Sequence, residues 1–203
     1  MGKFYQKIMG KPLVYDYLRP LFLGGITVKP AYDWLNPVDN EVILDVGCGT
    51  GVALSYLTGF SQYHGFDTDE IALAALKERY GNVSNVNIYN RHVTQSAVEQ
   101  INPHKVLMMG LLHHVNDEVA ISLLQSMTRS KNLIKIVSID VFYGKGAKHL
   151  TSNALASLDR GKFIRTPEGY KELLKSTTLH IHDEMYLRSG NGLACYYIMD
   201  IRP

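Results

Sequence analysis

The chain has 203 residues, a length that suits one domain with a substantial buried core. Apolar residues make up 46% and charged residues 20%, as in ordinary globular proteins, and the net charge of +2 argues against a nucleic-acid-binding protein. The two cysteines, Cys48 and Cys195, are too few for a disulfide framework and indicate a reduced, cytoplasmic protein. We find neither a signal peptide nor an apolar stretch long enough to span a membrane, so we expect no membrane association.

Residues 1–35 precede the first predicted strand and are predicted to form a helical leader. Tyr15, Leu18 and Phe22 lie near helical spacing, while prolines and glycines divide the segment into short pieces. Periodicity alone does not tell whether the apolar face of such a leader packs on the core or lines a pocket.

The first strand and the loop after it, residues 41–51, read EVILDVGCGTG. The apolar run is typical of a buried central strand, and it ends in three glycines at alternate positions: Gly47, Gly49 and Gly51. A strand that breaks into a glycine turn and opens a helix predicts free backbone N–H groups around a ligand. Asp45 lies at the carboxyl end of the strand, where ligands bind in open α/β sheets. An ordinary tight turn is the alternative.

The heptapeptide Asp45 to Gly51, DVGCGTG, resembles motif I, D-x-G-x-G-x-G, of the class I (Rossmann-like) S-adenosylmethionine-dependent methyltransferases. In that family the loop curves beneath the amino-acid and ribose portions of the cofactor. The resemblance implies S-adenosyl-L-methionine as cofactor, S-adenosyl-L-homocysteine as product, and a methyltransferase domain over residues 36–203. It also implies that a leader such as residues 1–35 often forms a lid over the site. The cofactor contacts implied in this loop are Asp45, Gly47, Cys48, Gly49 and Gly51.

A helix to about Thr58 and a second strand are predicted to lead to Asp67-Thr68-Asp69. Asp67 follows Gly47 by twenty residues, the spacing at which Rossmann-like folds place a carboxylate on the ribose hydroxyls. We assign Asp67 and Thr68 to cofactor binding. The alternative for Asp67 is an N-cap of the following helix, although Thr68 or Asp69 could cap instead.

The third predicted strand, residues 86–89, is followed by His92 and Val93. The family often has an acidic residue here, close to the adenine amino group, and His92 is a departure from that pattern. A neutral imidazole can accept one hydrogen bond, and the Val93 backbone can serve as well. A surface histidine without a ligand is the alternative.

The fourth predicted strand, Lys105 to Met109, leads into Gly110-Leu111-Leu112-His113-His114, which resembles the L-H-H stretch of many small-molecule methyltransferases. We assign Gly110 and Leu111 to cofactor binding and His113 and His114 to catalysis, because imidazole can take a proton from an acceptor hydroxyl near neutral pH. The alternative is that one histidine packs under the loop and the other makes structural hydrogen bonds. No metal site is expected, since the sequence shows no ligand-spaced cluster.

A fifth strand over residues 133–139 precedes Tyr143, which we assign to the substrate site, with a cover over the sheet as the alternative. The long connection over residues 144–165 has a short helix predicted within residues 152–158. Connections of this length with little regular structure are usually functional or mobile. Its cations suggest an anionic substrate that Arg165 would bind, with a solvated face as the alternative. Those cations are Lys145, Lys148, Arg160, Lys162 and Arg165.

A helix that starts at Thr166-Pro167 and two closing strands complete the chain. The resemblance implies an α/β, Rossmann-like three-layer sandwich whose seven-stranded, mostly parallel sheet has the order 3-2-1-4-5-7-6 and an antiparallel last strand. It predicts methyl transfer from S-adenosylmethionine to a small molecule, at oxygen, by a monomer or homodimer without a nucleic-acid partner. The alternatives are methylation of a protein or RNA, and a cofactor-binding, non-catalytic partner subunit.

Overall fold

The computed structural model describes residues 27–146, 149–157, 159, 161–189 and 195–203. Its sheet consists of β1 (Glu41–Val46), β2 (Phe60–Asp67), β3 (Val86–Asn90), β4 (Lys105–Met109), β5 (Lys135–Val141), β6 (His180–Arg188) and β7 (Cys195–Arg202). The described helices are α1 (Lys29–Leu35), α2 (Glu70–Tyr80), α3 (Gln95–Ile101), α4 (Asp117–Met127), α5 (Leu150–Ala156) and α6 (Pro167–Glu172). Short 3-10 helices cover Val52–Ser55, Leu112–His114 and Leu173–Ser176. Among these helices none combines the length and the apolar character needed to cross a bilayer.

The strands pair in the order β3-β2-β1-β4-β5-β7-β6, which confirms the predicted order. Strands β1 to β5 run parallel, and β7 lies antiparallel to both β5 and β6. The chain builds outward from β1 to β3 and then returns to place β4 on the other side of β1. Ligands of such sheets bind at this switch point, outside the carboxyl ends of the strands. The ends of β1, β2 and β4 therefore meet where a ligand is expected.

Successive residues of the central strands face opposite sides of the sheet, so that two apolar layers form. Leu44 of β1 belongs to a cluster that includes buried residues of α3, α4 and α6. Ile43 belongs to the second cluster, with buried residues of α1 and α2. Helices thus cover both faces, which confirms the predicted three-layer arrangement.

The described part of the predicted leader packs on the sheet. Helix α1 buries Ala31, Tyr32 and Leu35 in the second apolar layer. Lys135 Nζ donates to the Trp34 carbonyl oxygen at 2.8 Å, which ties the helix to the first residue of β5. Residues 1–26, on which most of the predicted lid falls, lie outside the described residues.

The helix predicted from the glycine loop to about Thr58 is wrong in length and type. Only residues Val52–Ser55 are helical, and they form a 3-10 helix. The Ser55 hydroxyl donates to the Val52 carbonyl oxygen at 2.7 Å, a local hydrogen bond that competes with a continuing α-helix. The Tyr56 ring stacks on Tyr32 of α1 at 4.6 Å between centroids, so a tertiary contact directs the chain away.

Candidate active site

The glycine loop after β1 is held by hydrogen bonds within the protein. The N–H groups of Gly47 and Cys48 donate to the Phe66 carbonyl oxygen of β2, at 2.8 and 3.1 Å. The Gly49 N–H donates to Asp67 Oδ2 at 2.8 Å, and the Gly51 N–H donates to the Cys48 carbonyl oxygen at 2.9 Å. The expectation of free N–H groups around a ligand is therefore wrong at these four positions. The loop offers a close surface rather than a set of unpaired donors.

The middle glycine provides that surface. Gly49 has φ +50°, and a Cβ built on it would have nothing within 4 Å, so its α-carbon faces open space. A Cβ built on Gly51, at φ +74°, would instead lie 2.1 Å from Leu76 Cδ1 of α2. Gly51 therefore permits close helix packing, while Gly49 leaves room for a ligand to approach the backbone.

Cys48 packs behind the loop. It is buried, and a Cβ built on Gly65 of β2 would lie 2.9 Å from its sulfur. Burial raises the pKa of the thiol well above its ordinary value, so the group stays protonated at neutral pH. The side chain therefore acts as a small apolar residue, and its assigned cofactor contact stays a prediction.

Asp67 joins the loop to the end of β2. Its Oδ2 accepts from the Gly49 N–H at 2.8 Å, and its Oδ1 accepts from the Asp69 N–H at 2.9 Å. Asp69 is the residue that caps α2, since its Oδ1 accepts from the N–H groups of Ile71 and Ala72. The alternative role of Asp67 as the cap is therefore excluded. Each carboxylate oxygen has a further lone pair, which can accept a ligand hydroxyl. Thr68, between the two acids, is exposed.

Asp45 is a buried carboxyl group beside the loop. The Tyr63 hydroxyl donates to its Oδ2 at 2.6 Å, whereas its Oδ1 has no hydrogen-bond partner within the described part of the chain. Burial raises the pKa of Asp45 to about 7; the Tyr63 hydrogen bond opposes this shift, and the charge of Asp67 adds to it. The unsatisfied Oδ1, buried near the carboxyl end of β1, is an acceptor that a polar ligand group or an ordered water would satisfy.

His92 and Val93 follow β3 on the same edge of the sheet. β3 ends beside β2, with Asn90 paired to Asp67 in the register and its amide donating to the Asp67 carbonyl oxygen at 3.3 Å. His92 is exposed and Val93 is partly buried. Both lie near the ligand edge, and their assigned contacts with adenine stay predictions.

The loop after β4 lies directly against the glycine loop. A Cβ built on Gly47 would lie 3.3 Å from Leu111 Cδ1, so these two assigned cofactor residues are neighbours. Gly110, at φ +64°, donates its N–H to the Ile139 carbonyl oxygen at 2.8 Å, and a Cβ built on it would be 3.5 Å from His113 Cε1. Gly110 and Leu111 thus connect the histidine pair to the loop that resembles motif I, since Leu111 lies beside Gly47 and Gly110 lies beside the His113 ring.

His113 is buried between two carboxylates that the sequence did not reveal. Asp140 Oδ1 lies 2.7 Å from His113 Nδ1 and also accepts the His113 backbone N–H at 3.1 Å. Asp159 Oδ1 lies 3.4 Å from His113 Nε2. Burial by itself lowers the pKa of His113, but the hydrogen bonds to Asp140 and Asp159 outweigh it and raise the pKa to about 9. The position of Asp140 at the end of β5 was a usable sequence signal for a ligand-edge residue, whereas nothing in the sequence marked Asp159.

His114 is the exposed member of the pair. Its ring centroid is 4.2 Å from that of His113. His113, His114 and Asp159 each offer one ligand atom, and these atoms lie within 4.8 Å of one another. The described residues therefore contain a cluster with metal-ligand chemistry, which the sequence analysis did not anticipate.

Arg165 forms hydrogen bonds to the loop after β4 that carries His113 and His114, residues 110–115, which we call the histidine loop. Its Nε and Nη2 donate to Asp117 Oδ1 at 2.9 and 2.6 Å, and Nη2 also donates to the Val115 carbonyl oxygen at 2.9 Å. Its Nη1 donates to the carbonyl oxygens of Leu112 and Phe163 at 2.7 and 2.9 Å. These bonds use all five donors of a guanidinium group, so Arg165 clamps the loop. Its assigned contact with substrate stays a prediction.

Tyr143 lies just beyond β5 and contacts Arg165 through the backbone. Its N–H donates to the Arg165 carbonyl oxygen at 3.0 Å, and its side chain is partly buried. The structure therefore places Tyr143 at the carboxyl edge of the sheet. Its assigned role in substrate binding stays a prediction.

Residues 43–131, from within β1 to just past α4, match the sequence model of a family described as "Methyltransferase domain". A comparison with proteins of curated function finds no match. Solved structures of the same fold are numerous. The Burkholderia thailandensis 1,6-didemethyltoxoflavin-N1-methyltransferase, with bound 1,6-didemethyltoxoflavin and S-adenosylhomocysteine, is 18% identical with a TM-score of 0.62, and the match covers 100% of this chain and 90% of that chain.

Two further structures have higher TM-scores. The cyclopropane synthase MmaA2 from Mycobacterium tuberculosis is 10% identical with a TM-score of 0.67, over 86% of this chain and 82% of that chain. A chain of the complex that contains the Haloferax volcanii Trm112 methyltransferase activator is 12% identical with a TM-score of 0.69, over 98% of this chain and 97% of that chain. Several other similar structures are longer, and this chain spans only 59% to 66% of their length. Identities this low establish the fold and no more.

Proposed function

We propose that this chain is a class I (Rossmann-like) S-adenosylmethionine-dependent methyltransferase whose acceptor is a small molecule methylated at oxygen, since residues 43–131 match a methyltransferase-domain model and the sheet has the strand order of that fold. One observation carries the proposal: the histidine loop lies against the glycine loop, through Leu111 and Gly47. An acceptor held by the histidine loop would therefore sit beside the methyl donor.

The residues of the ligand edge fit the cofactor. Gly49 leaves open space for the amino-acid and ribose portions, and Asp67 keeps lone pairs for the ribose hydroxyls. Asp45 Oδ1 is a buried acceptor available to a polar group of the ligand or to an ordered water. The other residues in this proposal are Gly47, Cys48 and Gly51 in the loop, Thr68 after β2, His92 and Val93 at the adenine end, and Gly110 and Leu111 beside the methyl group.

The cofactor supplies an electrophilic methyl group, so the protein has to position the acceptor and accept its proton. His113 has both ring nitrogens facing carboxylates, which leaves it to hold the loop in place. The exposed imidazole of His114 is therefore the proton acceptor of the pair in this proposal. Tyr143 lines the acceptor side, and Arg165 holds the loop through its hydrogen bonds to the Leu112 and Val115 carbonyl oxygens. The two cysteines are free and buried, in keeping with a reducing compartment such as the cytoplasm.

A second candidate is an activity that needs a partner chain, such as methylation of a protein or RNA. The observation that favours it is the similarity over almost the whole length to a chain from the complex with a methyltransferase activator. A subunit of that kind would bind the cofactor alone but would transfer its methyl group only in the assembled complex.

Incubation with methyl-labelled S-adenosylmethionine and separate metabolite, protein and RNA fractions distinguishes these functions. We expect label in a low-mass product, with a methyl ether or ester identified by mass spectrometry and NMR. Label in protein or RNA would overturn the proposal. Cofactor binding without any labelled product would favour the partner-dependent alternative.

His114→Ala tests the assigned base once an acceptor is known. We expect turnover to fall by about 10²–10⁴-fold while affinity for S-adenosylhomocysteine stays within about threefold. His182→Ala is the matched control, since His182 is an exposed histidine on β6. Near-full turnover in His114→Ala would indicate an acceptor that is already ionised when it binds.

A further inference from the structure

Three side chains converge on one point between the histidine loop and the long connection. The ligand atoms of His113, His114 and Asp159 lie within 4.8 Å of one another. The distance from His113 Nε2 to Asp159 Oδ1 is 3.4 Å. Ligands bound to zinc at about 2.0–2.1 Å in a tetrahedron are about 3.3–3.4 Å apart, whereas an octahedral arrangement of similar bond length brings neighbouring ligands to about 3 Å. The distance between His113 Nε2 and Asp159 Oδ1 equals a tetrahedral edge, and the other pairs of ligand atoms lie within 4.8 Å.

The buried histidine already has the support that metal-binding histidines have. Asp140, fully buried, lies 2.7 Å from His113 Nδ1, and the Ser138 hydroxyl donates to the other oxygen of Asp140 at 2.8 Å. A carboxylate on one ring nitrogen fixes the proton there and turns the other nitrogen toward a metal. In His113 that other nitrogen is Nε2, the one that faces Asp159.

Backbone contacts set the position of Asp159, which comes from a different part of the chain. The Phe163 N–H donates to the His113 carbonyl oxygen at 3.0 Å. The Gly161 N–H donates to Asp159 Oδ1 at 2.9 Å, and a Cβ built on Gly161 would lie 2.1 Å from His113 Cδ2. The segment can approach the imidazole this closely only because residue 161 has no side chain. The spacing of the cluster is therefore built by the fold.

We propose that His113, His114 and Asp159 form a three-ligand site for a divalent transition metal of the zinc type, with its fourth position open. Two imidazoles and one carboxylate suit zinc or cobalt better than magnesium or calcium, which prefer oxygen ligands. Metal binding would draw in the exposed His114 ring, whose ligand atom lies within 4.8 Å of the other two. This inference goes beyond the proposed function, because metal binding is measurable without methyl transfer. In the metal-loaded protein the His114 nitrogen would be a ligand and would not serve as a base, so the base role proposed above belongs to the metal-free protein.

The test is a titration of the metal-free full chain with cobalt(II), followed by visible absorption, and with zinc(II), followed by calorimetry against a chelator. We expect one equivalent of cobalt to give the intense visible bands of tetrahedral coordination, and zinc to displace it. His114→Ala and Asp159→Asn should each lower the cobalt affinity by about 100-fold or more and remove the tetrahedral bands. Asp140→Asn, which alters the support of His113 and none of the three ligands, should lower it by about 10–100-fold and keep the bands.

The control is the double variant His180→Ala/His182→Ala, which removes two exposed histidines of β6 and should bind cobalt as the wild type does. Circular dichroism establishes that each variant is folded. If Asp159→Asn is destabilised, His114→Ala still tests the proposal, because His114 is exposed and its replacement should leave the fold intact. The proposal is overturned if His114→Ala and Asp159→Asn retain wild-type affinity, if the spectrum is that of weak octahedral cobalt, or if the β6 variant alone loses binding. A failure of methyl transfer to small molecules would leave these results unchanged, so the two proposals are tested separately.

Discussion

Asp67→Asn separates cofactor binding by the second acidic residue from its structural role. The substitution keeps the size of the side chain but removes the charge and one of the two acceptor oxygens. In the native protein those oxygens accept the N–H groups of Gly49 and Asp69 at 2.8 and 2.9 Å. A hydrogen bond to a charged group contributes about 1.5–3 kcal/mol. Loss of one such bond to the ribose should weaken S-adenosylhomocysteine binding by about 10- to 150-fold.

The assay is calorimetry with S-adenosylhomocysteine and with an analogue that lacks the ribose hydroxyls. Asp69→Asn is the matched control, since Asp69 also holds two backbone N–H groups, and Asn caps helices about as well as Asp. We expect the control to bind both ligands as the wild type does, and Asp67→Asn to lose affinity mainly for the natural ligand. Equal losses for both ligands would refute direct ribose binding and assign the effect to the anchoring of Gly49. Equal losses in both variants would assign it to net charge alone.

Three further predictions address the other parts of the site. Gly49→Val should abolish detectable S-adenosylhomocysteine binding. The control is Gly146→Val, at φ +89° and also facing open space, which should carry similar backbone strain of about 1–3 kcal/mol and bind normally. Equal binding by both variants would show that Gly49 does not contact the cofactor. The pKa of Asp45 is raised from 3.8 to about 7 in the folded state, so protonated Asp45 stabilises the fold fully below about pH 4, and this stabilisation is lost as pH rises through 7. The loss is at most about 4 kcal/mol of unfolding free energy. Denaturant titrations over this pH range should show the decrease in the wild type and not in Asp45→Asn. Arg165→Lys should lower the unfolding free energy by about 2–4 kcal/mol, because an ammonium group cannot replace the five hydrogen bonds of the guanidinium group. Lys162→Gln, at an exposed residue, is the control and should leave the unfolding free energy unchanged. An unchanged unfolding free energy of Arg165→Lys with a raised KM for substrate would instead favour the assigned substrate contact.

Local sequence patterns predicted the parts of the fold that depend on neighbouring residues. The bounds of β4 agree with the pattern, and Thr166 caps α6 as expected, because strand runs and caps are decided within a few residues. The strand order came from the resemblance to a family rather than from periodicity, and the structure confirms it. The pattern failed at Val52–Ser55, which forms a 3-10 helix instead of a longer α-helix. The stacking of Tyr56 on Tyr32 of α1 joins residues that are distant in sequence, so no short sequence window contains it.

The candidate site divides along the same line. The run from Asp45 to Gly51, the spacing to Asp67 and the histidine pair were all visible in the sequence, because each lies at a strand end and strand ends share one edge of a parallel sheet. Whether the loop's N–H groups were free depended on the position of the Phe66 carbonyl oxygen in the neighbouring strand, which no residue type specifies.

The amino-acid order thus determined that this chain forms an α/β sheet with a glycine loop and two histidines at its ligand edge. Only the tertiary structure decided what those histidines are. Asp140 lies 27 residues from His113, and Asp159 belongs to a connection that periodicity could not place. Pairing over such separations is set by how whole elements pack, since the free energy of bringing two carboxylates to one imidazole comes from the surrounding core rather than from the residues themselves.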